Sequence, residues 1–458
     1  MPILDEIKKF DINKCLRENF HLNKNPFTPK ELFSDGLTAD EVKTHDRVFQ
    51  GRKEIVESII TGIRAGDSYK SVLYGSKGVG KSSILNLCLY ALSNDYITIK
   101  IRILKEDVNE KVFQKKILRA VATALTSRIL KTDGLNLESI RKKIQQFFKP
   151  GAVKELDATA ALAFLFSSDQ VTYEESTQDK EAINLHLGPV PIGFTMKSEY
   201  VNAAKTMTSY AHIPETDLMR ILKSAHKLTL EFGFKGIVLG IDDGDKLNDA
   251  ELERMLLNLL KGMFYADAKY HLMVVCARDV IELDVKDLFS DNFISPLSKD
   301  DVLRALNEMY KSESVGEKEI YDFFDKEVLA ELYEESNGLM RDAVILCGEC
   351  IKKACSEKKE RIDKDVFNSV RVREEAAAAV KLMTMNHIST EYKVVTYLME
   401  NKEGYSSDEN FQKSVGVIQS RLTQILRELE NKGVLKSRKE KRRRVYFLKG
   451  GIEEVLKY

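Results

Sequence analysis

The chain has 458 residues, 43% of them hydrophobic and 31% charged, with 71 basic side chains against 71 acidic ones. That is the profile of an ordinary globular chain of about two to four domains, and its zero net charge leaves only local charge to indicate a partner. No apolar run reaches the ~20 residues that span a bilayer, and the N-terminal residues show no basic stretch followed by an apolar one, so a cytoplasmic chain without a membrane partner is expected.

Residues 1–50 are polar and mixed and read as an N-terminal extension. They contain Asn25-Pro26-Phe27 and run into Phe49-Gln50-Gly51-Arg52. A helical pattern covers Glu54 to Arg64. Ser71-Val72-Leu73-Tyr74 then reads as a strand, Gly75-Ser76-Lys77-Gly78-Val79-Gly80-Lys81-Ser82 follows, and a helical pattern begins at Ser83. The segment fits G-x-x-x-x-G-K-[ST] at each fixed position, in the strand–turn–helix setting that a phosphate-binding loop needs. Its glycines let backbone N–H groups crowd around oxygens, and the helix start adds positive partial charge. Lys81 is expected on the β- and γ-phosphates and Ser82 on Mg2+. Residues from Gly75 through Ser83 are therefore cofactor-binding candidates.

Alternation from Tyr96 to Ile103 predicts a second strand, and a long helix follows from about Asn109 to Leu130. Residues 131–213 read as an insertion, with a polar loop from Ser167 to Asp179 and a small hairpin carrying Leu185, Leu187, Val190 and Ile192. Helical periodicity returns from Glu215 to Phe232. The run from Gly236 to Asp243 is apolar and ends in two acids, as does a buried parallel strand whose C-terminal end meets a ligand. Asp242 is the expected second metal anchor, and Asp243 a candidate catalytic base. A further buried strand is predicted over His271–Cys276, followed by Arg278, which could face the phosphates, and a short strand begins at Asn292. The pattern is helical from Ser298 to about Ala379. Within it Asn337-Gly338-Leu339-Met340-Arg341-Asp342 opens a helix, where an arginine can swing onto a γ-phosphate.

Five of the six cysteines fall in predicted helices or strands, which suits reduced, mostly buried thiols. Cys347-Gly348-Glu349-Cys350 has half of a zinc spacing but no second pair, so no metal is expected there.

Residues 385–458 read as a separate unit. Helices are predicted over Glu391–Met399, Asp408–Ser414 and Val417–Asn431, then strands over Val434–Arg438 and Arg444–Leu448 around a basic loop from Lys439 to Arg443. In the third helix Ile418, Leu422, Ile425, Leu426 and Leu429 share an apolar face. Residues 434–449 carry eight basic side chains and one acidic. Helix–helix–helix–hairpin is the winged-helix order, whose third helix enters a major groove while the hairpin presses on phosphates. Ser420, Arg421, Gln424, Arg427, Arg438, Lys439, Lys441, Arg442, Arg443 and Arg444 are thus the DNA-binding candidates. The same residues also suit a winged helix used for protein contacts.

The order of Asn25-Pro26-Phe27, Phe49 to Arg52, the phosphate loop, Asp242-Asp243, Gly338-x-x-Arg341 and the C-terminal unit resembles the AAA+ ATPases of the origin-recognition and initiator type, in their prokaryotic relatives. The resemblance implies an α/β chain: a P-loop αβα parallel sheet at 51–296, a helical lid at 297–384 and a winged helix at 385–458. It implies ATP and Mg2+, with Phe49, Gln50, Gly51 and Arg52 near adenine, Lys81 and Asp243 in catalysis, and Arg341 as the sensor of the lid. Double-stranded DNA, further copies of the chain or a partner protein are the implied company. Asp243 stands where such ATPases carry a glutamate, which points to slow or partner-stimulated hydrolysis. Asp287 to Asn292 holds no arginine to reach a neighbour's ATP. The expected function is an ATP-binding, slowly hydrolysing switch that controls DNA binding. The alternative is a STAND-type signalling or defence ATPase that acts through protein–protein contacts.

Overall fold

The computed structural model describes residues 12–131 except 35 and 67, short pieces between 142 and 205, and residues 215–264 except 248. It further describes 270–278, 283, 289–371, 390–431, 434–440 and 443–448. Two compact units are present: residues 29–309 with 333–343, and residues 1–28 with 310–332 and 344–458.

The first unit is built on five parallel strands. These are β1 (Lys70–Tyr74), β2 (Ile97–Arg102) and, beyond β3 (Val171–Glu175), β4 (Ala182–Leu187) and β5 (Val190–Thr195), the strands β6 (Ile237–Asp242), β7 (Tyr270–Val275) and β8 (Ser290–Phe293). They lie in the order β2-β6-β7-β1-β8, with every neighbour parallel. The central β6 and β7 are buried along their whole length, as unbroken apolar runs covered on both faces require. Edge strand β2 alternates, with Ile97, Ile99 and Ile101 buried and Thr98, Lys100 and Arg102 more open. One face packs under Val56 and Ile59 of helix Lys53–Ala65 and Leu85 of helix Lys81–Leu92. The other packs under Phe113 of helix Glu110–Lys131, Leu222 of helix Glu215–Glu231 and Leu257 of helix Ala250–Phe264. This is the αβα parallel sheet expected from the sequence. Since all five strands point the same way, the ends of β1 and β6 share one rim of the sheet.

Strands β3, β4 and β5 form a separate antiparallel sheet. Hairpin β4–β5 is the predicted one. Strand β3 corrects the loop expected over Ser167–Asp179: Val171, Thr172 and Tyr173 are good strand formers, and their polar flanks hid them.

In the second unit, Phe20 and Leu22 are buried beyond helix Ile12–Asn19. The Phe20 ring lies 5.8 Å from that of Phe323, and the Tyr310 hydroxyl donates to the Phe20 carbonyl. Asn25 Oδ1 accepts the Phe27 N–H at 3.0 Å, while its amide donates to the Gly348 carbonyl at 3.3 Å. A Cβ at Gly348 would lie 2.6 Å from the Phe27 carbonyl oxygen, so this approach requires glycine. Cys15 is disulfide-bonded to Cys355, with Cα atoms 5.7 Å apart, which corrects the expectation of reduced thiols for that pair. Cys88, Cys276, Cys347 and Cys350 are buried and form no disulfide. No group of three or more His, Cys, Asp or Glu side chains is arranged to hold a metal ion among the described residues.

The C-terminal part runs helix Thr390–Asn401, β9 (Glu403–Gly404), helix Glu409–Val415, helix Gln419–Asn431, β10 (Leu435–Glu440) and β11 (Arg443–Leu448). The three strands form one sheet in the order β10-β11-β9. Asp408 caps the second helix by accepting the N–H groups of Asn410 and Phe411. Val394, Leu398, Phe411, Leu422, Ile425 and Leu429 lie in its core. Two expectations change. Glu440 pairs with Arg443, so Lys439 and Arg443, expected in the basic loop, belong to strands, and Lys441 and Arg442 lie outside the described residues. Ile418 is 72% exposed, because the helix starts at Gln419 and Ile418 falls off its apolar stripe.

Candidate nucleotide site

The turn after β1 is held open by backbone that side chains disfavour. Gly75 has φ +144°, and a Cβ there would sit 2.5 Å from the Ile294 carbonyl oxygen. Gly80 has φ +105° and begins helix Lys81–Leu92 with no side-chain cap, so the first helical N–H groups remain suited to an anion. Lys81 is buried beneath the turn. Its Nζ donates to the carbonyls of Gly75 at 2.9 Å and Ser76 at 3.1 Å, and pairs with Asp245 Oδ2 at 2.8 Å.

The end of β6 supplies the acids. Asp242 is fully buried. Its Oδ1 accepts from the Ser82 hydroxyl at 2.8 Å and from the Asp243 N–H at 2.9 Å. Its Oδ2 touches Lys100 Nζ at 2.8 Å yet has no well-directed hydrogen bond. A hydroxyl and a buried, under-satisfied carboxylate are hard oxygen donors side by side, which fits a magnesium ion held between Ser82 and Asp242. Burial pushes the Asp242 carboxyl up, but Lys100, Ser82 and the Asp243 N–H outweigh it and hold the group below the usual carboxylate range.

Each acid of the Asp242-to-Asp245 turn has its own lysine. Asp242 meets Lys100, Asp243 Oδ1 meets Lys246 at 2.7 Å, and Asp245 meets Lys81. Lys100 also reaches Glu31 Oε2 at 2.7 Å, and Arg102 contacts the same oxygen at 3.1 Å. Burial lowers the Lys100 pKa, but the neighbouring Asp242 and Glu31 carboxylates raise it overall. The loop that carries Glu31 is fixed to helix Lys81–Leu92: the Leu32 N–H donates to Ser83 Oγ at 3.3 Å, and Asn86 donates to the Leu32 carbonyl at 2.9 Å. Sequence reasoning missed Glu31, Lys100 and Asp245. A lysine at the centre of a strand in a buried sheet was the available signal for Lys100, and the acid-rich turn for Asp245. Glu31 had none.

The other anticipated residues divide. Arg52 braces the site: its guanidinium donates to the carbonyls of Val79 and Ser295, each at 2.8 Å, and burial lowers its pKa to about 10. Phe49 is half-buried, edge-on to Phe33 at 5.9 Å. Gln50 turns back to the Arg47 carbonyl, and Gly51 lies against Asp301 and Leu297. Ser76 and Lys77 are exposed, and Val79 is buried. Asp243 takes a left-handed backbone, φ +66°. Arg341 is exposed at the start of helix Met340–Ser356, where its Cβ lies 3.2 Å from the position a Cβ on Gly78 would take, so it stands on the phosphate loop. Arg278 is directed instead to Glu253, whose carboxylate accepts its guanidinium at 2.5 Å and the N–H groups of Ala277 and Arg278.

On helix Gln419–Asn431, Ser420, Arg421 and Arg427 are exposed. Arg421 donates to Gln424 at 2.8 Å, and Gln424 to Glu428 at 2.9 Å. Arg444 of β11 is tied to that helix through Glu430 at 3.0 Å and to Ser437 at 2.7 Å. Arg438, Lys439 and Arg443 are placed by their backbone on β10 and β11, whereas Lys441 and Arg442 lie outside the described residues.

No protein-family model matches the chain, and no curated protein does. Solved structures similar to it include the Aeropyrum pernix Orc1 protein in complex with DNA, 14% identical, TM-score 0.46, covering 94% of this chain and 95% of that one. A Walker-type ATPase of Pyrococcus abyssi is 11% identical, TM-score 0.49, with 94% and 100% covered. The Thermotoga maritima RuvB Holliday junction branch migration motor is 13% identical, TM-score 0.37, with 94% and 99% covered. At these identities the fold rests on the chain's own topology. With its phosphate loop after β1, its acids at the end of β6 and five parallel strands ordered β2-β6-β7-β1-β8, this chain has a P-loop αβα fold.

Proposed function

We propose that this chain is an ATP-binding switch that hydrolyses slowly and controls the binding of double-stranded DNA through its C-terminal part, working as a winged helix. The observation that carries this reading is the convergence of Lys81, Ser82, Asp242 and Arg341 on one glycine turn. Lys81 neutralises phosphate charge, the helix start donates N–H groups, and Arg341 is placed to answer to the terminal phosphate. Magnesium, when bound, would supply charge neutralisation across the phosphates. Asp243 is the candidate base, and its pairing with Lys246 together with its short side chain supports a low rate without a partner. The boundaries 51–296, 297–384 and 385–458 for core, lid and winged helix, the place of Phe49 to Arg52 near adenine and a cytoplasmic setting belong to this proposal. So does assembly with further copies or a partner protein.

In this reading ATP engages Arg341, shifts the balance between two arrangements of the lid and changes DNA affinity. Calorimetry with ATP is the test: wild type binds and Lys81→Ala does not. DNA affinity measured with and without ATP should differ, and should fall steeply with salt. Equal affinity in both conditions would remove the switch.

A second reading is a signalling ATPase that uses the same unit for protein contacts. The Arg421–Gln424–Glu428 chain and the Arg444–Glu430 pair favour it, since they satisfy polar groups of the outward face internally. Replacement of Lys441, Arg442, Arg443 and Arg444 by alanine separates the two: lost DNA binding supports the switch on DNA, and unchanged binding supports protein contacts.

A further inference from the structure

We propose that Lys100 is a positioning residue of the nucleotide site, a resident cation that shares Asp242 with the metal and so makes nucleotide binding only weakly dependent on magnesium. The inference rests on the nucleotide reading above and concerns a residue outside the phosphate loop and the acidic turn.

Lys100 sits in the middle of edge strand β2, in register with Gly240 of β6. From there its side chain reaches Asp242 Oδ2 at 2.8 Å, while Ser82 Oγ holds Oδ1 of the same carboxylate at 2.8 Å. One carboxylate is therefore shared between a fixed ammonium and the hydroxyl expected to face the metal. Glu31 anchors the ammonium from the far side at 2.7 Å, and Arg102 anchors Glu31. Two acids and two bases balance, so the ammonium is a fixed part of the site. Its side chain is 13% exposed, so water screens it little.

Two consequences follow from charge alone. Because Lys100 neutralises one of these acids, the site repels a polyanion less than it would without the lysine, even with no metal bound. The same charge repels a divalent cation approaching Asp242, so adding the metal strengthens binding less than it otherwise would. Removing Lys100 thus acts in opposite directions on the two quantities, which simple loosening of the fold would not do.

The test is titration of the full chain with a fluorescent ATP analogue, once in excess magnesium and once in EDTA. For wild type we expect the two affinities to agree within about tenfold. Lys100→Met should weaken the EDTA affinity by about fivefold or more while enlarging the magnesium enhancement by a similar factor. Lys100→Arg, which keeps the charge, should restore the wild-type ratio. Glu31→Gln changes a more exposed group and leaves Lys100 leaning on Asp242 alone, so it should shrink the magnesium enhancement below the wild-type value. If Lys100→Met and Glu31→Gln both keep the wild-type ratio, the proposal is wrong; should Lys100→Met fail to fold, the Glu31→Gln ratio alone decides. A wild type that binds no nucleotide in either buffer would overturn the nucleotide reading itself, an outcome distinct from equal ratios.

Discussion

Lys81 Nζ lies 2.8 Å from Asp245 Oδ2, and the carbonyls of Gly75 and Ser76 complete its surroundings. The lysine that would grip phosphate is thus already satisfied by an acid three residues beyond Asp242. Entry of a triphosphate exchanges one anionic partner for another, so Asp245 competes with the ligand. Asp245→Asn should therefore tighten ATP binding by about three- to tenfold, the scale of one charge-assisted hydrogen bond partly offset by solvation. Nucleotide titration reads the effect directly. Weaker binding in the variant would show that Asp245 holds the loop in shape instead of obstructing it.

Arg341 differs from Lys81 in being exposed while standing on Gly78. If Arg341 engages the terminal phosphate as proposed, it should distinguish a third phosphate from two, because its charge-assisted bonds would then need the third. Arg341→Ala should lower ATP affinity by about tenfold or more and ADP affinity far less. Arg341→Lys, which keeps charge but loses the planar fork, should fall between. Equal losses for the two nucleotides would reduce Arg341 to a general electrostatic contributor.

His45 ties the stability of the segment around Phe33 to pH. Its Nδ1 accepts the Phe33 N–H at 3.0 Å, two residues from Glu31, and only the neutral ring can do so. Burial pushes the imidazole below its usual value of 6.5, Lys30 adds to this, and Glu41 opposes it. The unfolded chain then takes up a proton at a higher pH than the folded one. Stability is fully present above pH 6.5 and is lost as pH falls from there through the depressed folded value. Melting temperatures between pH 7.5 and 5 should fall for wild type and fall less for His45→Gln. Parallel curves would dissociate His45 from acid sensitivity.

The legible parts of this chain were those in which one residue type has one physical use. Gly75, Gly78 and Gly80 announce a turn around phosphate, and the apolar run ending at Asp242 announces a buried strand with its acid on the rim. Both rest on local chemistry, and so does the helix start at Met340 just past Gly338. What stayed hidden depends on pairs far apart in sequence. Glu31 and Lys100 are 69 positions apart, and nothing in the arm around Glu31 signals that it reaches a sheet edge. Cys15 and Cys355 lie 340 apart, and their union cannot be read from spacing. Strand β9 is two residues long and exists because β11 offers it an edge, so no periodicity could reveal it.

Spacing puts Ile418 and Leu422 on one apolar face, and the structure separates them. Leu422 is fully buried against Val394, Phe411 and Ile425, whereas Ile418 is 72% exposed ahead of the helix. Leu422→Ala should cost about 2–5 kcal/mol through lost burial and a cavity, enough to unfold a unit of this size or to lower its melting temperature by many degrees. Ile418→Ala should stay within about 0.5 kcal/mol. The same pair tests the interface: Ile418 sits at the N-terminal end of the helix proposed to enter a groove, where recognition helices reach base edges. If DNA binds there, Ile418→Ala weakens binding without touching stability, and the loss persists as salt is raised because no charge is removed. Arg427→Ala, which removes an exposed charge, should instead flatten the salt dependence by about one unit of slope. Denaturation paired with binding isotherms at two salt concentrations separates these three behaviours, and a large stability cost for Ile418→Ala would return that residue to the core.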